Sequence, residues 1–404
     1  MTAGTAPTDL RRTPLRVPEQ VSDALQRIAA SPRIVLYCGQ GANDAAESVR
    51  ELAELLCAPV ITTFSARGLL PEDHPLSIVF NSDRGSVKTL NRLFERSDLV
   101  LALGCKLSNE PASGLAMRIA TEKLVRVDAS QEIKGSDYPA TTGIRGTVED
   151  FVSDILRQRD VLARRTVGWE PDEVQRWRHD IPAEAAAAIA GPRFPDVVPP
   201  TAAGFFAALR EAMPREACLV TDSGRHQVLA RVHFRALSPR GLIVPSGFQS
   251  MGFGLPAAIG AKLADPHRPV VALIGDGGFA MSAMELLSAV RHKIPLTVIV
   301  FNDGVLGQIR LEQINAYGIE YGTSLLNPDF EQFAAAVGVK YFRLGCDAVD
   351  ILRRAIHSGG VSLVEVRLRE SFSSHVRRVE ALARKTGRRI LGPELVRKLR
   401  LWLG

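Results

Sequence analysis

Short apolar runs alternate with helical patterns along most of this chain. Between residues 21 and 160 the runs that predict strands are 33–37, 59–63, 99–103 and 124–128, after a predicted amphipathic helix at 21–30. Between residues 201 and 369 the predicted strands are 218–221, 242–244, 270–274, 296–301 and 363–366. Strands that alternate with helices are typical of parallel sheets covered by helices on both faces. The pattern therefore predicts an α/β protein with two doubly wound parallel-sheet domains.

The stretches outside these patterns predict three further segments. Residues 1–20 lack the apolar core of a signal peptide and indicate a flexible N-terminal lead. Residues 161–200 combine a polar helical pattern, an alanine run and the proline-rich VVPPT, which indicates a connector. We therefore expect a lead at 1–20, domains at 21–160 and 201–370, a connector at 161–200 and a tail at 371–404.

Length and composition fit a two-domain globular protein. The 404 residues exceed one ordinary core, and the apolar content of 46% and charged content of 23% are unremarkable. No apolar stretch is long enough to cross a bilayer, so no membrane partner is expected. Five scattered cysteines without metal-binding spacing favour structural thiols in a reducing cytoplasm.

The net charge of +6 is concentrated in the C-terminal tail. Residues 371–404 hold nine Lys or Arg against two Glu, so the rest of the chain is close to neutral. General nucleic-acid binding is therefore not expected. Apolar residues interspersed in the tail predict amphipathic helices, which would either clamp a more acidic partner or pack on the chain's own domain.

Two aspartates directly follow two of the predicted strands. Asp276 lies in GDGG after 270–274, and Asp303 follows 296–301. The intervening segment predicts a helix, with capping-box spacing at 282–285 and an apolar period at 284, 287 and 290. A right-handed crossover makes the two strands parallel, so both aspartates would lie at the edge where open α/β sheets bind ligands.

Glycines at this turn would let the backbone approach an anion closely. A carboxylate beside a phosphate needs a bridging cation, so Asp276 and Asp303 are candidate ligands of Mg²⁺ or Ca²⁺ on a diphosphate. A backbone carbonyl within residues 303–305 could supply a third oxygen. Either aspartate alone is equally typical of a tight turn or a loop residue; the pair at parallel strand ends favours the metal site.

Three ordered segments resemble thiamine diphosphate enzymes. The stretch from GDGGFAM to VIVFNDG resembles their diphosphate motif, which begins with GDG and ends at an Asn or Asp, here 27 residues after Asp276. DSGRHQ at 222–227 and SMGFGLPAAIGA at 250–261 resemble successive segments of acetolactate synthase-like members. The resemblance implies that 21–160 is the family's central domain, that 201–370 is its diphosphate-binding domain, and that thiamine diphosphate and Mg²⁺ are the cofactors.

The resemblance also implies roles for individual residues. Asp276, Asp303 and the carbonyl of Val305 match the metal ligands, with Asn302 as the alternative to Asp303 if the register differs by one. Met251 matches the residue that supports the bent cofactor, although plain core packing would also explain a methionine. The residues expected to bind the cofactor are Ser223, Gly224, Arg225, His226, Gln249, Met251, Gly275, Asp276, Gly277, Gly278 and Asp303.

The resemblance implies decarboxylation of a small 2-oxo acid such as pyruvate. Ile309 occupies a position where simple decarboxylases of the family often carry a protonating glutamate, so ligation of the acyl unit to a carbonyl acceptor is favoured over plain decarboxylation. Met251, Gln308 and Ile309 are the candidate catalytic residues. Glu312 is a further candidate to face the substrate, but a solvated helix residue explains it equally.

The sequence differs from the family in two respects, and both change the subunits and cofactors that we expect. No stretch matches the pyrimidine-binding domain that carries the family's catalytic glutamate, so we expect a separate subunit to supply it and a heterotetramer or larger assembly. Residues 248–255 would then present an apolar face. Residues 82–85 lack the glycine-rich sequence expected of members that bind FAD, so FAD is not expected as a cofactor. A non-catalytic homologue, a truncated gene product and a nucleic-acid-associated protein remain alternatives.

Overall fold

The computed structural model describes residues 18–81, 84–107, 117–130, 138–188 and 191–369. The predicted tail 371–404, nearly all of the predicted lead 1–20 and positions 82–83 of the segment considered for FAD lie outside the described residues. The chain divides into two compact units, one of Met1–Ala188 with Ala236–Gly241 and one of Ile189–Arg235 with Leu242–Gly404. The first division falls inside the predicted connector, and the predicted domain boundaries stay predictions.

The first unit contains a six-stranded parallel sheet in the order β3-β2-β1-β4-β5-β6. Its strands are β1 Ile34–Cys38, β2 Val60–Thr62, β3 Ser77–Ile78, β4 Leu99–Leu103, β5 Leu124–Asp128 and β6 Thr142–Arg145. Its helices are α1 Pro18–Ala30, α2 Ala46–Leu56, α3 Arg84–Arg96, α4 Val148–Leu156, α5 Arg159–Leu162 and α6 Pro171–Ala188.

Alternating side chains of the first sheet supply two separate cores. Along β1, Ile34 and Leu36 join a cluster with residues of α2 and α4, whereas Val35 and Tyr37 join a cluster with residues of α3 and α6. The period of two follows from the pleat, which directs successive side chains to opposite faces. The doubly wound fold predicted from the apolar runs is therefore confirmed for this unit.

Part of the predicted connector packs within the first unit. Trp169 is buried, and its indole Nε1 donates to the carbonyl of Ile34 at 2.8 Å. The short return segment Ala236–Gly241 is held by Glu72, whose Oε2 accepts the N–H of Ala236 at 2.9 Å while Arg67 pairs with the same buried carboxylate. Hydrogen-bonded polar groups thus fix both segments on this unit.

The second unit contains another six-stranded parallel sheet, in the order β11-β12-β10-β9-β7-β8. Its strands are β7 Cys218–Thr221, β8 Leu242–Ile243, β9 Val270–Gly275, β10 Thr297–Asn302, β11 Lys340–Arg343 and β12 Ser362–Arg367. Its helices are α7 Ala202–Ala212, α8 Arg225–His233, α9 Gly254–Ala264, α10 Asp276–Ser282, α11 Leu286–Arg291, α12 Gly307–Tyr317, α13 Phe330–Ala336 and α14 Ala348–Ile356.

The strand order of the second sheet brings acidic residues together. β7, β9 and β10 are neighbours, and Phe301 pairs with Gly275 in a parallel register. Asp222 follows β7, Asp276 follows β9, and Asp303 follows β10. Because parallel strands end at the same edge, all three carboxylates reach one end of the sheet, as predicted for Asp276 and Asp303.

The predicted capping box at 282–285 is wrong. The helix already begins at Asp276, and the hydroxyl of Ser282 donates to the carbonyl of Gly278 at 3.3 Å instead of capping. The buried face of the following turns consists of Ala283, Leu286 and Ala289, whereas positions 284 and 287 of the predicted apolar period are exposed. The buried side chains of these turns join the core cluster of the second unit.

None of the helices in the described part of the chain has both the length and the apolar composition that a bilayer crossing requires. The five cysteines are all free thiols, and Cys38, Cys105 and Cys218 are buried. Burial raises the pKa of Cys218 to about 11 and that of Cys105 to about 12, which keeps both thiols protonated. This agrees with the structural role predicted for the cysteines.

Candidate functional site

A cavity of about 260 Å³ lies at the carboxyl ends of β7, β9 and β10. The candidate site residues proposed from the sequence line it, apart from the alternative ligand Asn302 and the further candidate Glu312. The lining residues are Pro192, Ser223, Gly224, Arg225, His226, Leu229, Gln249, Met251, Gly275, Asp276, Gly277, Gly278, Phe301, Asp303, Val305, Leu306, Gly307, Gln308, Ile309 and Leu368. The fold therefore brings together residues that lie as far apart in the chain as Pro192 and Leu368.

Asp276 is held rigidly at the first position of α10. Its carboxylate is buried, and Oδ1 accepts the N–H of Gly277 at 2.8 Å. Oδ2 accepts the N–H of Gly304 at 2.7 Å and the side-chain amide of Asn327 at 2.7 Å. These three donors hold the carboxylate at a fixed orientation, as a metal ligand requires.

The Asp303 carboxylate lies at the start of α12. Its Oδ1 accepts the N–H of Val305 at 3.3 Å. A Cβ placed on Gly307 would lie 3.3 Å from Asp303 Oδ2 and 3.6 Å from the Cδ of Arg225. The side chains of Asp303 and Arg225 therefore both pack against Gly307. Gly304, whose N–H is donated to Asp276, directly follows Asp303 in the chain.

The neighbouring Asn302 points elsewhere. Its amide Nδ2 donates to Glu365 Oε1 at 2.7 Å, and its Oδ1 accepts from Asn327 at 2.9 Å. Asn302 does not line the cavity that contains Asp276, whereas Asp303 does. Of the two alternatives for the second metal ligand, the geometry favours Asp303.

His226 supplies an uncharged ring to the cavity wall. Burial lowers the pKa of this imidazole to about 4, so the ring is neutral near pH 7. A Cβ on Gly224 would lie 3.0 Å from the ring, and one on Gly275 would lie 3.1 Å from it, so both glycines make room for the imidazole. Its Nε2 is buried without a hydrogen-bond partner in the described structure. An unpaired buried nitrogen beside a cavity is a candidate ligand contact.

Asp222 was not among the site residues predicted from the sequence. Its fully buried carboxylate accepts the N–H groups of Ser223 at 2.8 Å, Gly252 at 2.9 Å and Phe253 at 3.1 Å. Burial raises the pKa of Asp222, and these backbone donors oppose the shift. Asp222 thereby fastens the loop that carries Met251 to the end of β7. Its position directly after a predicted strand, like that of Asp276, was the available signal.

Met251 reaches the turn that carries Asp276. Its methyl carbon Cε lies 3.3 Å from a Cβ placed on Gly277, alongside Leu306 and Leu325. Gln249, two residues earlier, has a positive φ of 55°, which marks a sharp turn in this loop. The side chain therefore enters the cavity from a loop, and does not belong to the buried core clusters of the sheet.

Gln308 and Ile309 lie in the first turn of α12. The amide of Gln308 donates to Glu312 Oε1 at 2.8 Å, one turn along the helix. Ile309 is 44% exposed although it lines the cavity. Glu312 thus has a side-chain partner on the helix surface, and Ile309 presents an apolar group at the cavity entrance.

The predicted apolar face at 248–255 is only partly present. Phe248 is fully exposed, whereas Leu255 is completely buried in the core of its own unit. The prediction is therefore wrong for Leu255, because α9 begins at Gly254 and turns this residue toward the sheet.

A metal ion would need ligands beyond the protein's side chains. The described residues contain no group of three or more His, Cys, Asp or Glu side chains positioned to hold a metal. Two carboxylates, a backbone carbonyl and the oxygens of a bound diphosphate would together provide the hard oxygen ligands that Mg²⁺ prefers.

Comparison with known families assigns both units. The model described as "Thiamine pyrophosphate enzyme, central domain" matches residues 21–155, and "Thiamine pyrophosphate enzyme, C-terminal TPP binding domain" matches residues 222–366. The second match includes all of the cavity's residues from Ser223 to Ile309.

Individual relatives have several activities. The chain is 29% identical over 354 residues to the acetolactate synthase isozyme 1 large subunit of Escherichia coli, covering 87% of this chain and 61% of that protein. It is 32% identical over 354 residues to the probable 2-ketoarginine decarboxylase of Pseudomonas aeruginosa, covering 86% and 60%. It is 28% identical over 346 residues to the sulfoacetaldehyde acetyltransferase of Alcaligenes xylosoxydans xylosoxydans, covering 80% and 57%.

The chain thus spans roughly three fifths of each of these relatives. The central-domain model matches the earlier part of the chain and the TPP-binding model the later part. With a parallel sheet in each unit and the GDGG turn at the cavity, the chain belongs to the thiamine pyrophosphate enzyme family, with an acetolactate synthase-like sequence.

Proposed function

We propose that the cavity of the second unit binds thiamine diphosphate through Mg²⁺, and that the assembled enzyme decarboxylates a small 2-oxo acid. The observation that carries the proposal is the convergence of the glycine turn, two carboxylates and the unpaired His226 nitrogen on one cavity. Acetolactate synthases and a decarboxylase among the relatives support the reaction class.

The residues present fit a cation-bridged diphosphate. Asp276 and Asp303 supply carboxylate oxygens, and Val305 supplies its carbonyl. Gly278 lies at the cavity in the first turn of α10, where the helix N-terminus favours negative charge, whereas the N–H of Gly277 is donated to Asp276 Oδ1. His226 Nε2 and the guanidinium of Arg225 complete a diphosphate cradle, together with the Ser223 and Gly224 backbone.

Thiamine diphosphate, when bound, supplies the electron sink that lets a 2-oxo acid lose carbon dioxide. The chain's own residues orient and enclose it. Met251 occupies the cavity beside Gly277, where it would contact the bound cofactor, while Gln249 lies on the same loop. The loop that carries Met251 is held in place, because Asp222 accepts the N–H groups of Gly252 and Phe253.

The entrance residues favour ligation to a second carbonyl compound over protonation. Ile309 offers no proton, and Gln308 is engaged with Glu312. A site whose entrance lacks a proton donor leaves the acyl unit available to an acceptor. Simple decarboxylation is the second candidate, which the probable 2-ketoarginine decarboxylase among the relatives favours.

We further propose that the catalytic glutamate comes from a separate pyrimidine-binding subunit. Among the described residues that line the cavity, the carboxylates are those of Asp276 and Asp303, and no glutamate is present. Both aspartates are assigned to the metal. A heterotetramer or larger assembly in the cytoplasm would bring the two subunits together.

Reconstitution tests the proposal. The purified chain with Mg²⁺ and thiamine diphosphate should release no carbon dioxide from pyruvate. Adding a chain that carries the pyrimidine-binding domain should restore release, whereas a partner with its glutamate replaced by glutamine should not. Product analysis with a second 2-oxo acid present separates ligation from aldehyde formation. Turnover by this chain alone would contradict the separate subunit, and failure to bind thiamine diphosphate in any assembly would contradict the cofactor.

A further inference from the structure

A second cavity, of about 370 Å³, adjoins the candidate cofactor site. Asp303 and Leu368 line both cavities, so the second begins on the far side of the loop after β10. Its wall contains the side chains of Arg343, Arg367 and Arg369. None of the proposed cofactor contacts other than Asp303 lies in it, so this cavity has no role in the function proposed above.

The arginines meet because of the sheet's topology. Arg343 is the last residue of β11, and Arg367 is the last residue of β12, its parallel neighbour. Arg369 follows two residues after Arg367. Parallel strands end at the same edge, so three guanidinium groups are brought to the edge at which α/β sheets bind ligands.

A fourth arginine is paired directly with Arg369. Arg193 donates its N–H to the carbonyl of Arg369 at 2.8 Å, and Arg369 donates back at 3.0 Å, in an isolated antiparallel bridge. Residues opposed in such a bridge place their side chains on the same side. Two like charges held opposite each other are unfavourable unless an anion lies between them.

Acidic groups of the protein match only part of this charge. Arg367 Nε donates to the buried Glu365 at 3.0 Å, and the same carboxylate also accepts from Tyr341 and Asn302. Burial acts to raise the pKa of Glu365, but these hydrogen bonds hold that pKa below its ordinary value. The carboxylate is therefore charged, and it already accepts hydrogen bonds from Arg367, Tyr341 and Asn302.

The other arginines have no such partner. In the described residues no carboxylate lies within ion-pair distance of Arg193, Arg343 or Arg369. Asp196 also lines the cavity, and its negative charge contributes to raising the pKa of Arg367. Arg343 and Arg369, which line the cavity together with Asp196 and Asp303, therefore have no ion-pair partner among the described residues.

We propose that this cavity binds a small multivalent oxyanion. Guanidinium groups present fixed forks of N–H donors that match carboxylate and phosphate oxygens, and several around one cavity favour a ligand with more than one charge. A flat basic surface would suit a macromolecule, whereas a concave site of this volume suits a small molecule. Phosphorylated molecules and polycarboxylates share the required chemistry.

Calorimetry on the full chain with two probes tests the site. Inorganic tripolyphosphate and citrate are titrated in EDTA, where the aspartates of the neighbouring site have no cation to bridge to an anion. At least one probe should bind, and its identity distinguishes a phosphate ligand from a carboxylate ligand. Arg343→Gln and Arg369→Gln should each weaken that binding about tenfold, as expected for loss of charge-assisted hydrogen bonds.

Two further variants keep the test decisive. Arg354→Gln, on the exposed surface of α14 and outside the cavity, removes the same charge and should leave binding nearly unchanged. Arg343→Lys keeps the charge but loses the fork, so its binding should fall between wild type and Arg343→Gln. Failure of both probes to bind, or equal losses in the Arg354 and Arg343 variants at unchanged melting temperature, would overturn the proposal. Neither result bears on thiamine diphosphate binding.

Discussion

The carboxylate of Asp222 lies directly over the backbone of Gly278. A Cβ placed on Gly278 would be 2.2 Å from Asp222 Oδ2, well inside any allowed contact. The two residues join the end of β7 to the first turn of α10, whose first residue is Asp276. Glycine is therefore required at position 278 by a neighbouring carboxylate and not by backbone strain.

We predict that Gly278→Ala destabilises the protein by about 2–4 kcal/mol, since the methyl group must displace a buried carboxylate and its hydrogen bonds. Gly260→Ala is the matched control, because a Cβ there meets nothing within 4 Å on the exposed side of α9. That substitution should raise stability by up to about 1 kcal/mol. Urea unfolding measures both, and equal effects at the two positions would contradict the steric assignment.

The second prediction concerns the two aspartates of the cavity. Asp276→Ala should abolish Mg²⁺-dependent binding of thiamine diphosphate by the assembled enzyme, because the diphosphate loses its cation bridge. Asp303→Asn should be tolerated, since an amide oxygen can replace a carboxylate oxygen. Calorimetry with and without Mg²⁺ gives the affinities.

Asp347→Ala, an exposed acid next to α14, serves as the control for the loss of one negative charge. Its affinity for the cofactor should match that of the unchanged protein. An Asp276 variant that still bound thiamine diphosphate with undiminished affinity would remove the metal assignment.

The sheet and the main site could be predicted because both depend on local signals. The apolar, β-branched runs 270–274 and 296–301 are typical of buried strands, and they fix the edge at which the following aspartates lie. The strands that the sequence did not predict are β3, with two residues, and β6 and β11, with four each, although β7 and β8 are equally short and were predicted. Their pairing with neighbours creates them more than their composition does.

The polar contacts of the site were harder to predict, because they join residues distant in the chain. Asn327 links Asp276 to Asn302, and Asn302 links in turn to Glu365. None of these residues carries a motif that identifies its partner. Folding alone brings them together, so sequence patterns indicated the carboxylate of Asp276 but not the amide that orients it.

The third prediction separates cofactor geometry from packing at Met251. Met251→Ala should lower activity of the assembled enzyme far more than it lowers cofactor occupancy, as expected if the proposed contact of this side chain sets the conformation of the bound cofactor. Its stability cost should not exceed the 2–5 kcal/mol of a core truncation. Met284→Ala, at an exposed position outside the cavity, should change neither quantity.

Activity and occupancy are measured on the same samples, by carbon dioxide release and by cofactor content after gel filtration. If the two quantities fell in parallel in the Met251 variant, the side chain would only pack the loop that Asp222 fastens.

The last prediction follows from the neutral ring of His226. Burial lowers its pKa from 6.5 to about 4, so between these values the unfolded chain binds a proton that the folded chain does not. By linkage, stability from this residue is fully present above pH 6.5 and is lost as the pH falls to about 4. The loss should be on the order of 2–3 kcal/mol.

His226→Gln cannot take up this proton, so its stability should fall less than that of the unchanged protein over the same range. His357→Gln, at the exposed end of α14, is the matched control. Urea unfolding without cofactor at a series of pH values gives the difference between protein and variant. A difference that stayed constant down to pH 4 would show that the imidazole is charged in the folded state, and a charged ring could not remain unpaired at the cavity wall.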